Sequence, residues 1–263
     1  MQKKALFFDI DGTILSGVTW KVPKSAVDAL GRAVKNGHLT FINTGRTLGN
    51  IPQELKELPF SGFVCGCGTH IMLGDDVLLE TSIPHKRGRE IIEFVKKYNA
   101  SPVMEGKKDC YFPREKTRFE QIEILREIFG KIGRGIECYL EEDCYEYDKF
   151  TFCYDEQTER DKLMEELGKD MDLIDRNGGF YEVVPKGYSK ASGIEFIRKK
   201  FGMDLDDIYV FGDSSNDLAM FQYAKHTIAM GDHDAVLEPY TEFVTKTVDE
   251  DGLCYAMEHY GLI

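Results

Sequence analysis

Ala5-Leu6-Phe7-Phe8-Asp9-Ile10-Asp11-Gly12-Thr13 sets a four-residue apolar run against two carboxylates and a glycine. A short, wholly apolar run suits a strand buried on both faces, as strands of a parallel sheet are. In an open parallel sheet, ligands bind beyond the carboxyl ends of the strands. Asp9 and Asp11 therefore fall where chemistry is expected. Like charges this close repel unless a cation or a shared proton relieves them. Gly12 permits a sharp turn and the close approach of a ligand. Taken alone, the stretch reads equally well as a turn carrying two solvated aspartates.

A second stretch repeats the grammar. Val210-Phe211-Gly212-Asp213-Ser214-Ser215-Asn216-Asp217 runs from an apolar strand through glycine to acid, small residues and acid, and then into a helix. Carboxylates from two such loops converging on one sheet edge form an oxygen-ligand site suited to Mg²⁺. The plainer reading, N-capping plus a surface aspartate, accounts for one such loop but not for two on the same sheet. A third loop, Phe41-Ile42-Asn43-Thr44-Gly45-Arg46, also follows a strand and opens a helix. Backbone N–H groups at a helix start favour phosphate, Thr44 adds a hydroxyl, and Arg46 is either a bidentate phosphate contact or a solvated charge. A fourth element, Lys186-Gly187-Tyr188-Ser189-Lys190, stands at a helix entry, where a lysine neutralises phosphate as a point charge.

Between these loops the chain changes style. Strands are expected at 5–8, 39–42 and 63–65, with helices at 23–36 and 47–58 and a hairpin through Gly74-Asp75-Asp76. The middle mixes helices at 85–98, 114–129 and 158–167 with β-like runs at 149–154, 171–174 and 181–184. The run from Tyr139 to Tyr147 reads as a half-exposed strand or hairpin. The end returns to alternation, with helices at 189–200, 216–223 and 249–260 and strands at 207–211 and 227–230. Alternating elements imply a doubly wound parallel sheet. The expected fold is α/β: a Rossmann-like core formed by residues 1–83 and 185–263, with an inserted α+β domain at 84–184.

The four loops together match one family. The chain resembles the haloacid dehalogenase-like (HAD) superfamily, with its D-x-D-G-T, S/T, K and G-D-x-x-x-D elements in order, and within it the Cof-type sugar-phosphatase branch with a C2-type cap. The intervals agree: Asp9 to Thr44 has room for one helix and one strand, and Thr44 to Lys190 for a whole further domain. The resemblance implies a Mg²⁺-dependent phosphatase acting on a small phosphorylated metabolite, with a sugar phosphate favoured. Asp9 would attack phosphorus to give an aspartyl-phosphate, and Asp11 would serve as acid and then base. Mg²⁺ would be held by the Asp9 carboxylate, the Asp11 backbone carbonyl and Asp213. Thr44, Gly45, Arg46, Lys190 and Asn216 would hold phosphate, and Gly12 and Asp217 would support them. In relatives a glycine often follows the lysine directly; here Ala191 and Ser192 intervene, which leaves the start of that helix open. A phosphomutase sharing the aspartyl-phosphate, and a non-catalytic phosphate-binding regulator, are the alternative readings.

Composition sets the remaining bounds. The 263 residues carry 33 Lys and Arg against 46 Asp and Glu, a net charge of −13, which argues against a nucleic-acid partner. There is no apolar run long enough to span a membrane and no signal-peptide pattern, so a cytoplasmic protein is expected. Seven cysteines without an export signal predict reduced thiols. A monomer or weak homo-oligomer is the expected state. Trp20 is read as a loop anchor, and Lys107, Lys108, Arg114 and Lys116 as solvated charge.

Overall fold

The computed structural model describes residues 2–263. They divide into two compact units. The first gathers the residues up to Gly45, Pro52–Leu79 and Ser189–Ile263; the second gathers Arg46–Ile51 and Glu80–Tyr188.

The first unit is built on an eight-stranded sheet. Its spatial order is Phe243–Val244, His226–Ala229, Ile208–Gly212, Ala5–Phe8, Leu39–Asn43, Gly62–Cys65, His70–Leu73 and Asp76–Glu80. The first six run parallel, and the hairpin at the far edge turns antiparallel. Ala5–Phe8 is central and wholly buried. Its aromatic residues explain its place: Phe7 stacks on Phe41 at 5.2 Å between ring centroids and Phe8 on Phe211 at 4.5 Å. Each fully buried side chain of this size contributes about 1.5–3 kcal/mol. One sheet face packs on Ile194 and Ile197 of the helix Lys190–Phe201 and on Met220 and Phe221 of Leu218–Tyr223. The helices Lys24–Lys35 and Gly252–His259 pair through Arg32 and Glu258. From Ala5–Phe8 the chain proceeds to Leu39–Asn43 on one side, while Ile208–Gly212 returns on the other. The sheet order reverses at this point, which places the ligand crevice beyond Phe8.

The second unit is an antiparallel sheet in the order Cys110–Tyr111, Ser101–Glu105, Lys149–Cys153, Phe180–Pro185 and Met171–Asp175. Strand alternation separates its faces. Met104, Phe150, Phe152, Tyr181 and Val183 join the helices His85–Lys97 and Arg160–Leu167 in one core. On the opposite face, Val103 and Cys153 pack with Ile122 of the helix Glu120–Lys131. Glu105, Lys149, Thr151 and Glu182 lie buried further along that face.

Several expectations are corrected. The helix expected over 47–58 is a single turn, Leu48–Asn50, then Gln53–Lys56, because Pro52 interrupts it. The helix expected from Arg114 starts at Glu120; the Arg114 and Thr117 backbone N–H groups donate instead to Glu141 and Glu123 carboxylates. No strand forms between Tyr139 and Tyr147. A turn, Leu140–Glu142, takes its place, and Tyr145 and Tyr147 are buried. Trp20 anchors nothing: it is 71% exposed with φ of 56°. Cys138 and Cys144 form a disulfide, since a six-residue separation leaves their Cα atoms 6.2 Å apart, within bridging range. The other five cysteines form none. Among the described residues no helix is long and apolar enough to cross a membrane.

Asp148 carries a stability prediction. Its carboxylate is buried and accepts a 2.7 Å hydrogen bond from Ser82. Burial pushes it from 3.8 up to about 6; Ser82 and Lys107 oppose that rise, and Glu146 and Glu80 add to it. A raised folded-state pKa favours folding at low pH, and this contribution is lost as pH rises from about 4 through 6. The loss is at most about 3 kcal/mol. Asp148→Asn is therefore expected to unfold at a higher urea concentration than the parent at pH 8, and at nearly the same concentration at pH 4.

Candidate active site

Asp9 is the first residue beyond Ala5–Phe8 and stays tied to the sheet, its N–H donating to Phe211 O at 3.0 Å. The chain then folds tightly: Ile10 O accepts from the N–H groups of Thr13, Ile14 and Leu15, and Gly12 N–H donates to Leu15 O. Gly12 has φ of 81°, and a Cβ there would lie 2.4 Å from Asp213 Oδ2. Glycine is required on both counts. The loop thus lies directly against the acid of the second loop, and Thr13 Oγ1 donates to Asp213 Oδ1 at 2.8 Å.

Lys190 is the hub. It is the first residue of its helix, with Ser189 as N-cap accepting from Ser192 N–H, so the two residues before Gly193 fit a normal helix start. Its ammonium donates to Asp9 Oδ1 and Asp217 Oδ1, both at 2.6 Å, and reaches Asn216 Oδ1 at 3.4 Å. Lys190, Asp9 and Asp217 are all at least 97% buried. Asp217 Oδ2 accepts from the N–H groups of Asp213 and Ser214, which closes the loop beneath the acid.

The electrostatics follow from this burial. Desolvation pushes Asp9 up to about 6; Lys190 pulls it down, and Asp217 and Asp11 push it further. Asp213 is pushed up to about 8 by burial and by the charges of Asp9 and Asp217. Burial opposes the Lys190 charge, but Asp217 and Asp9 outweigh it and raise its pKa. One cation among three acids, two of them buried and Asp213 half-buried, is an incomplete neutralisation. Carboxylate oxygens of Asp9, Asp213 and Asp217 lie within 4.8 Å of one another, a spacing that fits a small hard cation. Asp217 has both oxygens engaged as acceptors, so the carboxylates of Asp9 and Asp213 are the better donors. Beside them is a cavity of about 450 Å³, lined in part by Gly12, Asp213, Asp232 and Asp249.

The other residues expected from sequence are placed as follows. Thr44 is buried at the end of the neighbouring strand; its N–H donates to Val64 O, and its carbonyl accepts from Cys67 N–H. Gly45 follows, half-buried. Arg46 belongs to the second compact unit, where its Nη1 donates to Asn50 O at 3.3 Å. The Asp11 side chain is exposed, and its backbone bridges to Leu15. Direct contact therefore joins Asp9, Asp213, Asn216, Asp217 and Lys190. Three supporting groups are given no task by the sequence motifs. Thr13 donates to Asp213, and Asn43 donates to Lys190 O. Asp234 accepts from Ser215 N–H, while its own N–H donates to Asp213 O. Asp234 follows a strand end, at Ala229, which is the signal that could have found it.

A doubly wound sheet with a buried Asp–Lys–Asp cluster at its switch point and a third acid beside it defines a phosphoryl-transfer class of α/β hydrolase. The comparisons agree. Residues 6–257 match the model of the haloacid dehalogenase-like hydrolases, and the chain belongs to that family. It is an enzyme of the phosphoric monoester hydrolase class. It is 30% identical to "Putative phosphatase YkrA" of Bacillus subtilis (strain 168) over the full length of both chains. Among solved structures it is similar to the HAD subclass IIB sugar phosphatase BT4131, with TM-score 0.83, 28% identity and coverage of 99% and 100%. It is also similar to the phosphatase BT1666 of Bacteroides thetaiotaomicron, with TM-score 0.84, 27% identity and coverage of 99% and 96%.

Proposed function

We propose that the chain hydrolyses a small phosphorylated metabolite, a sugar phosphate by preference, through an aspartyl-phosphate on Asp9, with Mg²⁺ bound and in the cytoplasm. The observation that carries this reading is Lys190 Nζ bonded to one oxygen of Asp9. At neutral pH a carboxylate with a pKa of about 6 is ionised, and Lys190 fixes its orientation. The other Asp9 oxygen bonds to phosphorus as the ester oxygen leaves with a proton from Asp11. Water then attacks the acyl phosphate, Asp11 takes its proton, and phosphate departs with Asp9 regenerated. Lys190, Asn216, Thr44, Gly45 and Arg46 are the proposed donors to the phosphoryl oxygens, and Asp217 holds Lys190. Asp9, Asp213 and the Asp11 carbonyl would hold Mg²⁺, which when bound offsets the negative charge of the acids and the phosphoryl group. We assign the inserted unit as the family's cap domain. The sugar-phosphate preference is supported by the likeness to a sugar phosphatase.

The test is phosphate release from an aryl phosphate and a panel of sugar, nucleotide and cofactor phosphates, with Mg²⁺ and with chelator. Metal-dependent release ranked highest on sugar phosphates is the expected outcome. Isomerised ester without released phosphate would sink the reading. Cation binding must also displace protons from Asp213 and Asp9. Between pH 8 and pH 6 the Mg²⁺ affinity is expected to fall roughly tenfold per pH unit, and more steeply below pH 6, measured by calorimetry.

A further inference from the structure

Arg46–Ile51 directly follows the Thr44–Gly45 turn in sequence, yet it packs into the second compact unit. One side chain of that segment is held there at both ends. Asn50 is buried; its Nδ2 donates to Glu105 Oε2 at 3.2 Å, and its Oδ1 accepts from the Cys110 thiol at 3.0 Å. The chain of contacts continues across the sheet: Glu105 pairs with Lys149 at 3.5 Å, and Lys149 pairs with Glu182. Neighbouring Gly49 lies so close to the 106–109 turn that a Cβ would stand 2.9 Å from Lys107 O. The main chain of Asn50 completes the loop, its N–H donating to Thr47 O and its carbonyl accepting from Arg46 Nη1. A buried ionic row is costly to desolvate and adds little net stability over apolar packing. Its geometric effect here is to hold an amide at one fixed point.

We propose that Asn50 is a positioning residue: clamped between Cys110 and Glu105, it fixes the guanidinium of Arg46, one of the proposed donors to phosphate. This rests on the phosphatase reading above. The amide is needed in both senses, since one end donates to a carboxylate and the other accepts from a thiol. An aspartate at this position would set a second carboxylate against Glu105.

The test uses the full chain with Asn50→Ala, Cys110→Ala and Cys110→Ser. The readouts are melting temperature, kcat and KM for an aryl phosphate, and calorimetric affinity for inorganic phosphate with Mg²⁺. Asn50→Ala is expected to weaken phosphate binding and raise KM together by about tenfold, with kcat changed less than threefold. Cys110→Ala should weaken phosphate binding about threefold, and Cys110→Ser, which keeps a donor to the amide, should recover affinity to within twofold. Unchanged phosphate affinity in folded Asn50→Ala overturns the proposal. So does a Cys110→Ser variant as weak as Cys110→Ala. If Asn50→Ala does not fold, the Cys110 pair decides alone. Parent protein that binds phosphate but releases none, or whose release survives Asp9→Asn, marks failure of the phosphatase reading; the affinity comparison still judges Asn50. Parent protein that binds no phosphate overturns both.

Discussion

Asp9→Asn is expected to cut phosphate release by at least about 10⁴-fold while leaving a protein that is more stable, not less, without metal. The amide retains the shape of the carboxylate, and its oxygen still accepts from Lys190 Nζ where Asp9 Oδ1 does now. What disappears is the nucleophile. An amide does not attack phosphorus, and loss of a covalent catalyst of this kind leaves only binding and electrostatic effects. The gain in stability follows from the charge balance. Lys190 faces Asp9, Asp213 and Asp217 with a single positive charge, and the charge on Asp9 is, after burial, the largest cause of the raised Asp213 pKa. Its removal relieves that repulsion. The metal-free variant should melt at a higher temperature than the parent, and Mg²⁺ should raise its melting temperature by less. Residual release within tenfold of the parent, in protein free of contaminating phosphatase, would refute the nucleophile assignment. A lower metal-free melting temperature would refute the charge argument and leave the chemistry standing.

The acids that meet at this site are legible because Asp9 and Asp213 each follow an apolar strand, where alternation of strands and helices already predicts a ligand edge. Asp9 and Asp213 announce themselves by repeating one grammar on two strands, and Lys190 by standing at a helix entry. Legibility fails where the partner is remote. Asn50 meets Glu105 and Cys110 across 55 and 60 residues, and no local pattern marks a buried amide. The inserted unit was read least well, for physical reasons. Ser101–Glu105 is an interior strand that was missed, because Pro102 contributes no N–H to a ladder and argues against such a place. The 114–119 segment has helical composition, but side-chain carboxylates take its backbone N–H groups. The tyrosines at 145 and 147 alternate with acids as a strand would, yet both are buried in a core outside any strand. The cysteine expectation failed for Cys138 and Cys144, since compartment arguments concern a whole chain and not two residues six apart that one turn brings together.

Lys190→Met is expected to destabilise the metal-free protein by roughly 3–5 kcal/mol at pH 8 and to lower activity by about 10³-fold. The apolar chain fills nearly the same volume, so the loss comes from charge. Two carboxylates, each bonded to Nζ at 2.6 Å and both almost fully buried, keep their burial and lose their counter-charge. Removing one partner of a buried ionic cluster costs this much because it strands the others. The pH dependence separates this cause from a packing defect. Asp9 already has a folded-state pKa of about 6, above its ordinary 3.8, with Lys190 pulling it down. Without Lys190 it rises further. A raised carboxyl pKa contributes stability that is present at low pH and lost as pH climbs through the folded value. The deficit relative to the parent should therefore be greatest at pH 8 and shrink by more than half by pH 5, where Asp9 takes up a proton. A deficit that stays constant from pH 5 to 8 would point to packing and overturn the account. The double variant Asp9→Asn/Lys190→Met removes the stranded charge at its source. It should recover at least half of the lost stability at pH 8 and none of the activity, which places the stabilising role of Lys190 in its pairing with Asp9 and its catalytic role in the phosphoryl oxygens that Asp9 receives.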